Sequence, residues 1–452
     1  MTGLTGGWAL GLLLVLLAAG RGGELVRNPR FQRAGEDGLP EGWTPWAPEW
    51  QAAACTVRAT PEGLLMEGAG HAVGGASQDV GGIQGGGAYA VEAVCRVRDI
   101  PSPFRSAPVR LTWTRGGEAV HPAGFYVRGP VLSGDEGRFR EVLVAPAEAD
   151  GARLSLEAKW PQGGSLLWRR VSLRPAEPPQ PRKARLGTVY LRPANSTPAK
   201  NLDLWCEQID AAGELGLDAV CLGEAILAVG TGAGLEARAR PVPGPVTERL
   251  GQAARRNRIW VVAGVTERHG QQVYNTAVLI DRQGRLAGTY RKVHLPREEW
   301  RKGVTPGGEY PVFQTDFGAV AVMICYDWFF PEAAAAFALG GAEVLFAPTW
   351  GNTLPDREGR VDGETTFRVR ARDNGLVLVP SVYDGRSMVI DPLGRIRAAT
   401  DRNGDIAWAE VDLASRERLP WVGHWRSIGP RDRMPATYGP LLGDPPPRAQ
   451  GR

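Results

Sequence analysis

The hydrophobic period of the chain changes once, at the Pro-rich, charged stretch RPAEPPQPRKAR around residues 175–185. Upstream, apolar residues recur at every second position. Val109, Leu111 and Trp113 alternate with Arg110, Thr112 and Thr114, and Leu154, Leu156, Ala158 and Trp160 alternate with Arg153, Ser155, Glu157 and Lys159. Short strands of this kind between Gly-rich turns predict an antiparallel all-β sandwich. Downstream, strand-like runs alternate with helix-like ones, which predicts an α/β domain of about 250 residues. The expected organisation is a leader at 1–23, a β-sandwich at 24–175, a linker at 176–185, an α/β domain at 186–430 and a Pro- and Arg-rich tail at 431–452 that wraps a surface.

Within the second half, LGTVYL (186–191), LDAVCLG (217–223) and IWVVAGV (259–265) read as strands, and Leu202 to Leu215 and residues 245–257 as helices. Two further strands meet at Arg282-Gln283-Gly284, a hairpin turn. Strand AVAVMI (319–324), helix PEAAAAFALG (331–340), strand AEVLFAP (342–348), a helix at 362–374 and strands to about 413 complete the alternation.

Charge and cysteines exclude several classes. The formal net charge is only +4 and no block of like charges occurs, so a dedicated nucleic-acid binder is disfavoured. Of the basic residues only five are lysines, at 159, 183, 200, 292 and 302; a GC-rich coding sequence accounts for the bias. Trp8 to Gly20 is an apolar run too short to span a bilayer, ending in small residues as a cleaved export signal does, although no Lys or Arg precedes it. Export to the periplasm or the exterior and a soluble mature protein are therefore expected, with an uncleaved anchor or a misassigned start as the alternatives. Five cysteines are too few for a disulfide framework. Cys55 and Cys95 are either a pair or buried thiols, and Cys206 and Cys221 read as core residues. No CxxC spacing occurs and the five histidines are scattered, so neither a metal nor another cofactor is expected.

Three segments put reactive residues where strands end: CLGEA with Glu224, TYRKVHLP with Lys292, and VMICYDWFFPE with Cys325 ahead of a helix opening at Pro331-Glu332. The carboxyl ends of strands in α/β sheets gather ligands, and a cysteine at such an elbow is accessible, with a pKa that nearby positive charge can lower. Each residue alone has a plainer reading: a core cysteine, a loop carboxylate, a solvated lysine.

Glu, Lys and Cys in this order resemble the nitrilase superfamily of carbon–nitrogen hydrolases. Three further features carry the resemblance: C-x-D-x-x-x-P-E as Cys325, Asp327, Pro331 and Glu332; RARDN (370–374), with Asp373 where Glu is usual; and SMVIDPLG (387–394), with Ser387, Asp391, Pro392 and Gly394. It covers about residues 184–415 and implies a four-layer αββα sandwich that pairs across a helical face, hence a homodimer or larger assembly. It also implies Cys325 as nucleophile, Glu224 as general base and acid, and Lys292 with the Tyr326 backbone N–H as oxyanion donors. A second glutamate holds the lysine; Glu299 is the choice and Glu298 the alternative. His294 suggests a Cys–His dyad, which the segment does not otherwise support. Trp328 and Trp350 are candidate pocket residues, with core packing an equal account.

The first half carries a second resemblance. LVRNPRF (25–31) and GLPEGW (38–43) are similar to the opening of galactose-binding-like jelly rolls, including carbohydrate-binding modules. Trp43, Trp46 and Trp50 are either a platform for stacking on a carbohydrate or core residues, and period-two spacing does not put all three on one face. The expected activity is hydrolysis of a small non-peptide amide, with a nitrile or an N-carbamoyl compound as alternatives on the same residues. The rival from another class is an inactive carbohydrate-binding protein. The acyl-transferase branch of the superfamily is disfavoured because it needs membrane spans.

Overall fold

The computed structural model describes residues 23–35, 38–351 and 362–443. The expected leader lies outside the described residues except for Gly23, as do part of the 350–362 loop and the end of the tail. The chain divides into two compact units at Pro179 and Gln180. Among the described residues no helix is long and apolar enough to cross a membrane.

The first unit holds two six-stranded sheets in which every pairing is antiparallel. One is centred on Val73–Val80, Gly151–Lys159 and Val109–Arg115, the other on Ser165–Ala176, Ala88–Arg98 and Glu136–Val144. Their inward residues form one core: Leu111, Trp113, Leu154 and Leu156 from the first, and Val91, Cys95, Phe139 and Trp168 from the second. The alternation in the sequence is this burial, because successive side chains of a strand point to opposite faces. Trp43 belongs to that core, 3% exposed and packed against Phe31 with ring centroids 5.3 Å apart. Trp50 is 76% exposed, and Trp46 is half-buried on the edge strand Thr44–Trp46. A platform of all three tryptophans is therefore excluded. Cys55 and Cys95 are both buried free thiols, whose burial raises their pKa to about 11 and about 12. The pairing considered for them is not formed.

The second unit repeats one pattern twice. Its first sheet runs Leu286–Arg291, Gln272–Ile280, Trp260–His269, Ala219–Cys221, Lys183–Val189 and Ile406–Asp412. Its second runs Phe313–Gln314, Ala319–Val322, Val344–Thr349, Val377–Val382, Met388–Ile390 and Ile396–Ala399. In each, three parallel strands are flanked by antiparallel ones. Each contains a hairpin with Asp at its start and Gly three residues on. Asp281 Oδ1 accepts from Gln283 and Arg285 N–H, and Asp391 Oδ1 accepts from Leu393 and Arg395 N–H. Gly284 and Gly394 take φ of 80° and 78°, a left-handed conformation that glycine adopts without strain.

One face of each sheet meets the other in a shared core that includes Val262, Leu279, Val322 and Phe346. Buried hydroxyls fasten the sheets: Thr188 donates to the Pro380 carbonyl and Ser381 to that of Val189, each at 2.7 Å. The helices Pro198–Glu214 and Pro245–Asn257 bury Trp205, Ile209, Leu250 and Ala254 against Val220, Val261 and Ile280 on the first sheet's other side. The first helix begins four residues earlier than its apolar period suggests. Thr197 caps it by accepting from Lys200 N–H, and Pro198 fills the first turn, where no N–H is needed. Trp425–Asp432 is a helix, tied back by Trp425 Nε1 to the Asp373 carbonyl and by Arg426 to the Ala342 carbonyl.

Candidate active site

Glu224, Lys292 and Cys325 reach one cavity of about 530 Å³ from three different elements. Glu224 follows the central parallel strand Ala219–Cys221 of the first sheet, and Cys325 follows the parallel strand Ala319–Val322 of the second. Lys292 follows the hairpin strand Leu286–Arg291. Two of the three lie at tight turns: Ala225, directly after Glu224, has φ 46°, and Cys325 has φ 44°. Non-glycine residues held there are strained, and such strain collects at functional sites.

Each turn is clamped. The Glu224 carbonyl accepts from Tyr383 Oη at 2.6 Å, and Asn201 Nδ2 donates to the carbonyls of Ile226 and Val229. Gly264 on the neighbouring strand is required there, since a Cβ would stand 2.6 Å from the Glu224 Cα. On the cysteine side, Asp327 is fully buried and accepts four hydrogen bonds, from Ile324 N–H, Tyr290 Oη, His294 N–H and the His294 ring. Arg370 donates to the carbonyls of Trp328 and Phe329. The arginine of RARDN is thus a cap on the cysteine turn. Ser387, from the downstream motif, is a buried link between Val382 and Val189.

The charged centre is compact. Lys292 Nζ lies 3.0 Å from Oε1 of Glu224 and 3.0 Å from Oε1 of Glu299. Asn275 Nδ2 donates to the same two oxygens, at 2.7 and 2.8 Å. Lysine and asparagine therefore stitch two carboxylates together, leaving Glu224 Oε2 buried without a partner among the described residues. Burial disfavours the Lys292 charge, but Glu224, Cys325 and Glu299 outweigh it and hold the ammonium above its ordinary range. Burial and the Glu224 charge raise Glu299 above the usual carboxylate range, against the pull of Lys292.

Cys325 behaves differently from the sequence expectation of a depressed thiol. Burial and the Glu224 carboxylate raise its pKa above the usual value, and Lys292 with a backbone hydrogen bond from Trp350 only partly offsets them. Left alone, the group is a thiol that keeps its proton beside the Glu224 side chain. It is also the one cysteine of the five that is only partly buried, the other four being buried.

The other candidates separate. Glu299 binds Lys292, while Glu298 lines the cavity on an exposed turn. Trp350 lines the cavity, but Trp328 does not: it is 1% exposed, stacked on Phe329 and packed against Phe367. A Trp in a tight turn whose ring has an apolar side to fill goes inward. His294 is committed to Asp327 and stacks on Phe330, which removes it from a dyad with Cys325. Tyr326 packs its ring on Phe329 and Phe330. Sequence reasoning missed Asn275, Tyr383 and Arg238. Asn275 alone left a signal, an amide in the otherwise apolar strand YNTAVLI. Among the described residues no cluster of His, Cys, Asp and Glu could hold a metal ion.

The carbon-nitrogen hydrolase family model matches residues 185–420. The chain is 32% identical over 246 residues to a nitrilase of Pyrococcus abyssi, covering 51% of this chain and 90% of that one. It is 32% identical over 233 residues to an N-carbamoylputrescine amidase of Solanum lycopersicum, covering 45% and 76%. A solved carbon-nitrogen hydrolase from Helicobacter pylori G27 aligns with a TM-score of 0.47 at 22% identity, over 58% of this chain and 99% of that one. By the match over more than half its length, the chain belongs to the carbon-nitrogen hydrolase family and is a hydrolase of C–N bonds.

Proposed function

We propose that the enzyme hydrolyses a small non-peptide amide through a thioester on Cys325, with Glu224 as proton carrier and Lys292 as oxyanion donor. The observation that carries this reading is the meeting of Lys292, Glu224 and Cys325 in one cavity, with a carboxylate oxygen left open. Cys325 Sγ attacks the carbonyl carbon as its proton passes to Glu224, and the carbonyl π electrons move to oxygen. Lys292 Nζ and the N–H of Tyr326, which no described residue accepts, receive that oxyanion. The C–N bond then breaks and Glu224 returns the proton to the leaving nitrogen, releasing ammonia or an amine. Water attacks the thioester while Glu224 takes its proton. The C–S bond breaks, the acid leaves and the proton goes back to sulfur.

The raised thiol favours this order. A free thiolate would add a third negative charge beside Glu224 and Glu299, so sulfur gives up its proton only as the C–S bond forms. Asn275 and Glu299 act on position: they hold Lys292 and Glu224 in register. The same residues serve a nitrile or an N-carbamoyl compound, and an amide is preferred as the broadest chemistry of the family. Around this centre we read the second unit as a four-layer αββα sandwich, supported by the core shared between its sheets. We read the first unit as a galactose-binding-like jelly roll, supported by its two antiparallel sheets, with Trp46 and Trp50 the aromatics left for sugar. Export, supported by the apolar run at 8–20, and a homodimer complete the proposal.

The test is ammonia release over a panel of amides, nitriles and carbamoyl compounds, with mass spectrometry of the enzyme trapped during turnover. A mass increase on the Cys325 peptide, absent in Cys325→Ala along with turnover, is expected. Turnover that survives Cys325→Ala overturns the reading.

A further inference from the structure

Most ionisable groups lining the cavity are accounted for. Glu224, Glu299 and Lys292 bind one another, and Asp384 is paired with Arg192. Glu298 and Lys302 stand exposed on one surface turn. Arg238 remains. It ends the short helical turn Leu235–Arg238, which is fixed in place rather than free: Arg240 N–H donates to the Thr266 carbonyl at 3.0 Å, and Arg268 N–H to the Arg240 carbonyl at 2.8 Å. Its guanidinium makes one long hydrogen bond, from Nη1 to the Ala233 carbonyl at 3.4 Å. Its Nε is buried with no acceptor, and no described carboxylate pairs with it. Burial lowers its pKa, and the charge of Glu299 opposes this.

An arginine cannot discard its proton to escape such a position. A partly desolvated guanidinium with a buried donor left unpaired is costly unless a ligand supplies an acceptor. Its planar fork matches a carboxylate, which can accept two parallel hydrogen bonds. Leu235, Tyr274, Val304 and Trp350 give the same cavity an apolar part of its wall. We propose that Arg238 binds a carboxylate of the substrate, so that the enzyme acts on amides or ureides that are also acids, with a short apolar chain between the two ends. This rests on the C–N hydrolase reading of the same cavity. The other account of Arg238 is that it balances the second carboxylate, Glu299, and the two accounts differ in what they predict.

The experiment compares dicarboxylic monoamides (succinamate, glutaramate, adipamate) and N-carbamoyl-β-alanine with neutral amides and ureas of equal length. The wild type is expected to favour the acids in kcat/KM. Arg238→Ala is expected to lower kcat/KM for the acids by about 30-fold or more, chiefly through KM, and to erase the preference for them. Arg238→Lys, which keeps charge without the fork, retains part of it. Binding of glutaramate to Cys325→Ala, measured by calorimetry, is expected to be lost when Arg238→Ala is added. A wild type that treats acids and neutral amides alike overturns the proposal. So does an Arg238→Ala loss that falls equally on both classes and in kcat, the mark of a charge balancer. A protein that turns over no amide or ureide, and forms no adduct at Cys325, refutes the hydrolase reading instead. The calorimetric arm then still decides for or against the carboxylate site.

Discussion

His294 is bound twice to Asp327, its backbone N–H at 2.9 Å and its ring nitrogen at 2.8 Å from the same carboxylate oxygen. His294 lies two residues beyond Lys292 and Asp327 two beyond Cys325. Tyr290, two residues before Lys292, donates to the other oxygen at 2.7 Å. One buried carboxylate therefore holds the segment that carries Lys292 against the turn that carries Cys325. The acid of the C-x-D motif is a clamp, and the histidine that suggested a dyad is half of it.

Asp327→Ala is expected to destabilise the second unit by about 3–5 kcal/mol, because four donors lose their shared buried acceptor. Denaturant unfolding of the full chain reads this. A loss below about 1 kcal/mol would show that water or neighbouring groups replace the clamp.

Lys292→Arg is expected to lower kcat by about 100-fold or more, although arginine replaces lysine almost everywhere else in this chain. The site holds a compact ammonium 3.0 Å from two carboxylates at 1% exposure, and a planar guanidinium does not fit there. Near-normal turnover in steady-state kinetics would make the lysine incidental.

The Cys325 thiol is raised by burial and by Glu224 and lowered by Lys292. Its alkylation by iodoacetamide should keep climbing through pH 9 without levelling near neutrality. Glu224→Gln removes a raising charge and should speed that reaction at fixed pH, while reducing turnover by about 10²–10⁴-fold. Lys292→Met should slow it. Slowing by both substitutions would mean that Glu224 deprotonates the thiol for alkylation too.

Gly264→Ala places a methyl group 2.6 Å from the Glu224 Cα and 2.8 Å from the Ala225 N. The backbone must shift, at about 1–3 kcal/mol of stability, and it carries Glu224 with it. Activity should fall by more than the melting temperature alone explains. A variant with wild-type kcat would show that the turn after Glu224 tolerates displacement.

In the first unit Trp43→Ala should cost about 3–5 kcal/mol, as a buried aromatic in a packed core, whereas Trp50→Ala should stay within about 0.5 kcal/mol. Thermal unfolding of both variants compares them. Equal effects would place Trp43 outside the core.

Local patterns were legible wherever a short segment carries its own physical cause. The helix Pro245–Asn257 and the turn at Arg282-Gln283-Gly284 stand where the apolar period and the glycine put them. The start of the helix at Pro198 was also written locally, in Thr197-Pro198, but its first turn is polar and the hydrophobic period is silent there. The helix Trp425–Asp432 contains Pro430, and only Trp425 and Ile428 among its eight residues have large apolar side chains. Its ties to Asp373 and Ala342 are long-range, so no local rule reads them.

The sequence by itself determined that a period-two half precedes an α/β half, and which glutamate, lysine and cysteine end strands. Those features are local, set by side-chain spacing of two or about four residues and by turn chemistry. The tertiary structure alone decided what those residues do to one another. It chose Glu299 over Glu298, sent Trp328 inward and left Arg238 without an ion-pair partner among the described residues. It also brought Asn275 to both carboxylates and set the Cys325 thiol high rather than low. Each outcome depends on burial and on charges far apart in the chain, and desolvation and Coulomb energy follow distance in space, which spacing along a sequence does not encode.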